Sequence, residues 1–292
     1  MNIRGTTQLV GLLGWPVEHT LSPPMHNAAF AAAGLDWVYV PLPTAPERLA
    51  DAVRGLVATG FRGCNVTIPH KEAVIPLLDE VTPEARAIGA VNTVVIRDGK
   101  TIGHNTDVDG FVAPVCVEAA IDLSGKSAVV LGCGGAARAI ATGCLRAKVA
   151  TLTLTDIDVP RMDALARDLA ALGNGAAIQK VAANSDDLRS AVAGAQLVAN
   201  ATPLGMHGPD ESPIDVAWLP QGVAVFDAIY TQPKTALLAA AEKSGGKSIH
   251  GLRMLLHQGV KAFALWTGVS PDVAVMERAL AEARNAPAEA RR

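Results

Sequence analysis

An α/β fold in two parts, each built around a mostly parallel sheet, is predicted by three features of this sequence. Strand-like apolar runs alternate with helical stretches from Gln8 to Leu78 and again from Ser127 to Lys243, and strands separated by helices of that length imply βαβ units. A polar turn, Asp122-Leu123-Ser124-Gly125, interrupts the alternation near the middle and marks the best boundary. The 292 residues match two domains at roughly 150 residues each.

The elements follow in order. Gln8 to Leu13 reads as a strand, Pro23 to Ala33 as a helix closed by Gly34, Trp37 to Leu42 as a strand, and Pro46 to Ala58 as a helix ending near Gly60. Gly63 to Ile68 is a short apolar strand, and His70 to Leu78 begins another helix. Val91 to Arg97 and Lys100 to His104 form a hairpin around Asp98-Gly99. A helical stretch follows from Asp107 to Ala120. Beyond the boundary, strands are predicted at Ser127 to Leu131, Thr151 to Thr155, Leu197 to Asn200 and Val223 to Asp227. Helices fit Gly135 to Arg146, Arg161 to Leu172, Asp186 to Val192 and Thr235 to Lys243. The closing segment from Gly251 to Arg284 is helical, and the Ala- and charge-rich end from Glu282 to Arg292, with Pro287, is expected to fray. The expected division is a first domain over 1–106, a linker helix over 107–121 and a second domain over 122–250, with the helices of 251–292 packing back on the first.

Composition excludes several classes of function. Half the residues are apolar but only 4% are aromatic, so alanine-rich close packing carries the core. The net charge is -3 with acids and bases interspersed, and no basic stripe argues for nucleic acid. The apolar run from Leu9 to Val17 is broken by Gly11, Gly14 and Pro16, is too short for a membrane span, and lacks the small-residue cleavage site of a secretory signal. Four cysteines without a C-x-x-C pair read as free thiols of a reducing compartment, hence the cytoplasm. Seven histidines form no H-x-x-x-H pattern, so no catalytic metal is expected.

The most informative segment runs from Lys126 to Asp156. A strand of small and β-branched residues enters Gly132-Cys133-Gly134-Gly135-Ala136-Ala137, a G-x-G-x-x-A turn opening an alanine-rich helix. Gly132 permits the tight turn, Gly134 lets the backbone approach a pyrophosphate, and Ala137 lets helix and strand pack closely. The N–H groups at the helix start, around Gly135 and Ala136, face the phosphates. Asp156, at the end of the next strand, is placed to accept both ribose hydroxyls. These features predict a Rossmann-type domain binding a nicotinamide dinucleotide. Asn200-Ala201-Thr202-Pro203-Leu204-Gly205-Met206 follows another strand at the carboxyl edge, where ligands bind in open α/β sheets.

Three polar motifs stand in the first part: His19-Thr20-Leu21-Ser22-Pro23, Asn65-Val66-Thr67-Ile68-Pro69-His70-Lys71 and Gly103-His104-Asn105-Thr106-Asp107. With the glycine turn, the Asn200–Met206 segment and Gly251-Leu252-Arg253-Met254-Leu255-Leu256-His257-Gln258, they resemble the shikimate dehydrogenase family, including its quinate/shikimate members, in order from Gly11 to Gly268. The resemblance implies an α/β substrate domain and a Rossmann-type domain with a cleft between them, and oxidation of the C3 hydroxyl of shikimate to 3-dehydroshikimate. It implies Lys71 as the catalytic lysine with Asp107 as its partner. Thr20, Ser22 and Thr67 are then the carboxylate-binding hydroxyls, Asn92 and Gln258 the residues that bind ring hydroxyls, and Tyr230 a tyrosine that reaches the substrate. Thr202, Met206 and Gly251 fall among the cofactor-binding positions.

The residue types suit that chemistry. A carboxylate substrate needs donors, and three hydroxyls supply them without full charge. Alcohol oxidation needs an acceptor for the hydroxyl proton, and Lys71 paired with Asp107 fills that role, donating in the reverse direction. Plainer readings exist beside these. Ser22 before Pro23 is an N-cap pattern, compatible with binding. Asp107 could cap the helix that follows it, and Asn92 could serve the hairpin. Lys71, in the first turn of the helix expected from His70, is poorly placed for the helix dipole, which favours function. His19, His70 and His104 read as surface or packing residues.

Two departures from the family pattern matter. NADP-using relatives carry Asn-Arg-Ser/Thr after the second strand of the cofactor domain, whereas this chain has Thr155-Asp156-Ile157-Asp158. That favours NAD, with NADP the alternative if Arg161 compensates. Thr20 stands where many relatives have Ser, and Asp109 where they are often apolar. The competing readings are a quinate dehydrogenase, a dehydrogenase of amino-shikimate analogues, and a non-catalytic cofactor-binding regulator, which the presence of Lys71 and Asp107 disfavours. The expected partner is a small cyclic hydroxy acid, with no nucleic acid or membrane, and the chain is expected to be a monomer or homodimer.

Overall fold

The computed structural model describes residues 3–173, 175–208 and 210–286 and divides the chain into two compact units. One comprises Met1–Thr106 with Gln258–Arg292, and the other Asp107–His257.

The first unit holds a six-stranded sheet of β1 (Gln8–Gly14), β2 (Trp37–Pro43), β3 (Gly63–Val66), β4 (Glu80–Val81), β5 (Thr93–Arg97) and β6 (Lys100–His104), in the order β2-β1-β3-β5-β6-β4. β1 pairs in parallel with β2 and β3, β5 runs antiparallel to β3 and β6, and β4 lies parallel to β6. The helices are α1 (Ser22–Ala32), α2 (Leu49–Ala58) and α3 (Pro83–Ile88). On α2, Leu49, Val53 and Leu56 form a single apolar stripe that packs on Leu13, Cys64, Val66 and Val94. The hairpin between β5 and β6 turns at Asp98 (φ 52) and Gly99 (φ 77), the paired positive φ of a type I′ turn.

The helix expected from His70 to Leu78 does not form. Pro76 would remove a helical donor and clash with the preceding turn, and the segment is a series of turns with a 3₁₀ turn at Ile75–Leu77. Lys71 therefore sits in a turn, where no helix dipole acts on it. β4 and α3 fill the stretch that follows, and the Thr82 side chain caps α3 by accepting from the Ala85 N–H.

The second unit opens with α4 (Asp107–Val112), followed by a π-helical turn over Ala113–Glu118. Pro114 lacks an N–H, and its carbonyl accepts from Ala119 five residues on, which widens the turn. The segment expected as a linker helix thus belongs to this unit. The sheet contains β7 (Ser127–Leu131), β8 (Thr151–Thr155), β9 (Ala177–Lys180), β10 (Leu197–Asn200), β11 (Ala224–Asp227) and β12 (Lys247–His250), all parallel, in the order β12-β11-β10-β7-β8-β9. This is the doubly wound Rossmann order, with its switch point between β7 and β10. Side chains of β7 alternate between the faces. Ala128 and Val130 meet Ile140 and Cys144 of α5 (Gly135–Arg146) and Leu165 and Leu169 of α6 (Val159–Ala171). Val129 and Leu131 meet Leu188 and Val192 of α7 (Asp186–Ala193) and Leu237, Leu238 and Ala241 of α8 (Ala236–Lys243).

The closing segment is two helices, α9 (Gly251–Thr267) and α10 (Val273–Asn285). Gly268, at φ +75, ends the first, and Asp272 caps the second by accepting from the N–H groups of Ala274 and Val275. α10 packs on α1 and continues through Asn285, although fraying is expected from Glu282, and the rest of that stretch, beyond 286, lies outside the described residues. Among the described residues no helix is long and apolar enough to cross a membrane, and no group of three or more His, Cys, Asp or Glu could hold a metal.

Candidate active site

Strand register gathers the polar motifs of the first unit at one edge of its sheet. Leu13 of β1 lies opposite Val66 of β3, so the loops leaving these carboxyl ends start side by side. One loop carries Thr20 and Ser22, and the other Thr67 and Lys71. The Thr67 N–H donates to the Leu13 carbonyl at 2.8 Å, and Gly14 leaves room for the Thr67 methyl, which a Cβ there would meet at 2.3 Å. Asn65 faces Thr93, and Thr93 faces His104, which brings Asn92 and the Asn105-Thr106 segment to the same edge.

Ser22 is not the cap that its position before Pro23 suggests. It is the first residue of α1, Leu21 occupies the N-cap without a side-chain bond, and the Ser22 N–H donates to Thr20 Oγ1 at 3.2 Å. The hydroxyls of Ser22 and Thr67 make no hydrogen bond among the described residues, so both can turn toward a ligand.

Behind these loops lies a buried polar network. Asn92 Oδ1 accepts from the Thr106 N–H at 2.7 Å and from Thr93 Oγ1 at 3.1 Å. Its Nδ2 donates to Thr106 Oγ1 at 2.9 Å and to Gln258 Oε1 at 3.4 Å. Asn92 is thus more than a hairpin residue: it precedes β5 and its side chain binds two distant segments, at Thr106 and at Gln258. Lys71 is half-buried in the turn after His70, and its carbonyl accepts from the Val91 N–H at 2.8 Å. His70 is a packing residue, buried with Nε2 at 2.7 Å from the Thr44 carbonyl, so Nε2 carries the proton. His19 is exposed. Burial, with Arg97 and Lys261 nearby, holds the His104 imidazole below the usual range.

In the second unit, Asp107 is buried in the first turn of α4, where the helix dipole favours a carboxylate. Asp109, for which the sequence offered no role, pairs with Arg146 of α5 at 2.9 Å. The glycine turn fits a dinucleotide. Gly132 has φ +94, and a Cβ there would meet the Ala201 backbone at 3.1 Å, so this turn and the loop after β10 touch at the switch point. A Cβ on Gly134 would meet nothing within 4 Å, and α5 starts there without a side-chain cap. The N–H groups of Gly135 and Ala136 are therefore left for an anion. Asp156 Oδ2 accepts from the Cys133 N–H at 2.6 Å and Oδ1 from the Asp158 N–H at 2.9 Å, which locks the carboxylate beside the turn. Ile157 next to it is 90% exposed.

A second buried cluster holds the remaining loops. Asn200 Nδ2 donates to Asp227 Oδ1 at 3.0 Å, and Thr235 Oγ1 donates to Asp227 Oδ2 at 2.6 Å. Burial raises the Asp227 carboxyl despite these bonds. Asn200 Oδ1 accepts from Thr202, whose N–H and hydroxyl lie at 2.9 and 2.8 Å. The Met206 carbonyl accepts from Thr231 Oγ1 at 3.1 Å and Gln232 Nε2 at 3.0 Å, tying this loop to the one carrying Tyr230, a half-buried residue whose phenol desolvation raises. Gly251, at the start of α9, admits no side chain, since a Cβ would lie 2.3 Å from the Ala228 carbonyl.

Comparison with known proteins agrees along the whole chain. The family model described as the shikimate dehydrogenase substrate binding domain matches residues 12–94, and that of the shikimate 5'-dehydrogenase C-terminal domain matches residues 251–281. The shikimate dehydrogenase (NADP(+)) of Rubrobacter xylanophilus is 48% identical, covering 95% of this chain and 97% of that protein. This chain belongs to the shikimate dehydrogenase family. A shikimate dehydrogenase structure from Listeria monocytogenes, in complex with shikimate and NAD, shares 35% identity with a TM-score of 0.87, covering 96% of this chain and 98% of the other. Quinate dehydrogenase from Corynebacterium glutamicum, in complex with NAD, shares 37% identity with a TM-score of 0.86, covering 94% and 99%. The family's two-part architecture, an α/β substrate domain and a Rossmann-type domain, is the one described above.

The structure adds Asn65, Thr93 and Thr106 to the site residues singled out from the sequence. Asn65 and Thr106 lay inside quoted motifs without an assigned role. Thr93, in an apolar strand, carried the signal of a buried hydroxyl, which needs a partner.

Proposed function

We propose that this chain catalyses the reversible oxidation of shikimate to 3-dehydroshikimate with hydride passing to a nicotinamide dinucleotide. The observation that carries this reading is the joint occurrence of the amide-and-hydroxyl network around Asn92 and a glycine turn at a Rossmann switch point, in a chain 48% identical to a shikimate dehydrogenase over 95% of its length. The dinucleotide, when bound, supplies the hydride chemistry. Thr20, Ser22 and Thr67 donate to the substrate carboxylate, and Asn92 and Gln258 hold ring hydroxyls. Lys71 takes the proton of the C3 hydroxyl during oxidation and returns it during reduction, with Asp107 as its partner. The lysine charge also stabilises oxyanion character at the C3 oxygen. Tyr230 is the tyrosine that reaches the substrate.

Preference for NAD over NADP is part of the proposal. The anchored Asp156 carboxylate suits two ribose hydroxyls and repels a 2′-phosphate. No arginine stands at 156 or 157, and the Arg161 guanidinium lies 3.6 Å from Asp158, which absorbs the charge proposed to compensate. Curated relatives named for NADP(+) make this a departure within the family. The likeness to a quinate dehydrogenase in complex with NAD favours quinate as a second substrate. A reducing cytoplasmic setting agrees with four free cysteines, of which burial pushes the Cys64 and Cys133 thiols up to about 12. Steady-state kinetics with shikimate and quinate, each against NAD+ and NADP+, test all of this. The expected order is shikimate with NAD+ first, and a chain inert on both acids would overturn the reading.

A further inference from the structure

We infer that Tyr39 is a positioning residue for substrate binding, its hydroxyl bracing, through Asn65 and Thr93, the Asn92 amide. This rests on the reading of Asn92 as a ring-hydroxyl ligand.

Tyr39 lies on β2, 1% exposed, and its side chain is held from several directions. Its ring stacks on His26 with centroids 4.6 Å apart and planes 10° from parallel, and Trp266 tilts against it at 6.0 Å. Trp266 is itself pinned by Nε1 donating to the Val94 carbonyl at 3.0 Å. His26 is fully buried with neither ring nitrogen hydrogen-bonded among the described residues, and burial takes its pKa down to about 3, so it packs as a neutral ring. Asn27 brackets the Tyr39 backbone, accepting from its N–H at 2.8 Å and donating to its carbonyl at 3.0 Å. The hydroxyl is thereby fixed at 2.9 Å from Asn65 Oδ1.

The bond has a direction that propagates. A phenol donating to Asn65 Oδ1 leaves Asn65 Nδ2 to donate to the Asn92 carbonyl at 3.1 Å and to Thr93 Oγ1 at 3.0 Å. Thr93, having accepted, turns its own proton to Asn92 Oδ1 at 3.1 Å. With Oδ1 engaged there and by the Thr106 N–H at 2.7 Å, Asn92 directs Nδ2 toward Gln258. An amide has two nearly isosteric flips, and hydrogen-bond partners decide between them. The Thr106 N–H, which can only donate, fixes the Asn92 flip that turns Nδ2 toward Gln258, and the chain that begins at Tyr39 braces that amide with a second donor on the same oxygen. A phenylalanine would pack in the same stack, so the hydroxyl serves the network rather than the core.

The test is Tyr39→Phe, which keeps the ring and removes one O–H. Loss of a buried donor predicts a rise of about 3- to 10-fold in KM for shikimate. KM for the dinucleotide is expected to stay at the wild-type value and kcat within about twofold, since the hydroxyl touches no reacting atom. Thermal unfolding of the same variant separates a structural role. A lowered Tm with an unchanged KM for shikimate would overturn the inference, as would equal rises in both KM values. A wild-type chain that fails to oxidise shikimate would overturn the proposed function together with this inference, whereas failure confined to the variant overturns this inference alone.

Discussion

Asn92 reaches Gln258 across 166 positions of sequence, its Nδ2 donating to Oε1 at 3.4 Å. A residue at the start of β5 and one on α9 thus present two amides side by side, within a network that also holds Thr93 and Thr106. The returning C-terminal helix completes the polar edge of the first unit.

Asn92→Ala should damage both binding and stability. It removes hydroxyl-binding capacity and leaves the Thr106 N–H without its side-chain acceptor, while the Thr93 hydroxyl keeps only its longer contact with Thr106 Oγ1 at 3.3 Å. Each orphaned buried group costs about 1–3 kcal/mol. Urea unfolding should show a loss in that range, and kinetics a rise in KM for shikimate of at least about tenfold, with 1.4 kcal/mol per decade.

Gly251→Ala should destabilise the second unit. Its Cβ would lie 2.3 Å from the Ala228 carbonyl, a backbone atom that cannot swing aside. Overpacking of this kind costs about 1–3 kcal/mol. Chemical denaturation should show that loss, whereas Gly134→Ala, which meets open space, should leave stability nearly unchanged and weaken only dinucleotide binding.

His26 gives the stability a pH dependence with a definite sign. Burial lowers its pKa from 6.5 to about 3, so the unfolded chain takes up a proton in a window where the folded chain does not. Its contribution is fully present above 6.5 and is lost as pH falls from there toward about 3. One proton corresponds to about 1.4 kcal/mol per pH unit. Unfolding free energies of wild type and His26→Phe, measured between pH 7 and pH 5, should diverge in the variant's favour as pH falls (about one proton's worth of slope). Parallel curves would show that His26 titrates alike in both states.

Much of this was legible before any coordinates. The strand, glycine turn and helix from Ser127 to Arg146 obey local rules that agree with one another, and Asp98-Gly99 specified its own hairpin. Edge strands were not legible: β9 and β12 are four residues each and carry polar side chains such as Gln179, Lys180, Lys247 and Ser248. Proline decided two other misses, since Pro76 forbids the helix expected after His70 and Pro114 opens a π-helical turn. In the site, the family resemblance pointed to Asn92 and Gln258, but Tyr39 and Thr93 sit in apolar strands. Only cross-strand register joins them to the polar edge.

Cofactor choice should follow the Asp156 charge. Asp156→Asn keeps an acceptor for the Cys133 N–H and removes the charge that repels a 2′-phosphate. A single charge contact near a surface is worth about 1–4 kcal/mol, so the NADP+ to NAD+ ratio of kcat/KM should rise about tenfold or more. An unchanged ratio would place the discrimination elsewhere.

The most direct test is the initial rate of shikimate oxidation at saturating dinucleotide, compared between wild type and Lys71→Ala. Proton transfer by a positioned side chain contributes about 10²- to 10⁴-fold, so the variant should lose that factor in kcat while still binding shikimate. A variant that turns over shikimate at the wild-type rate would contradict the account.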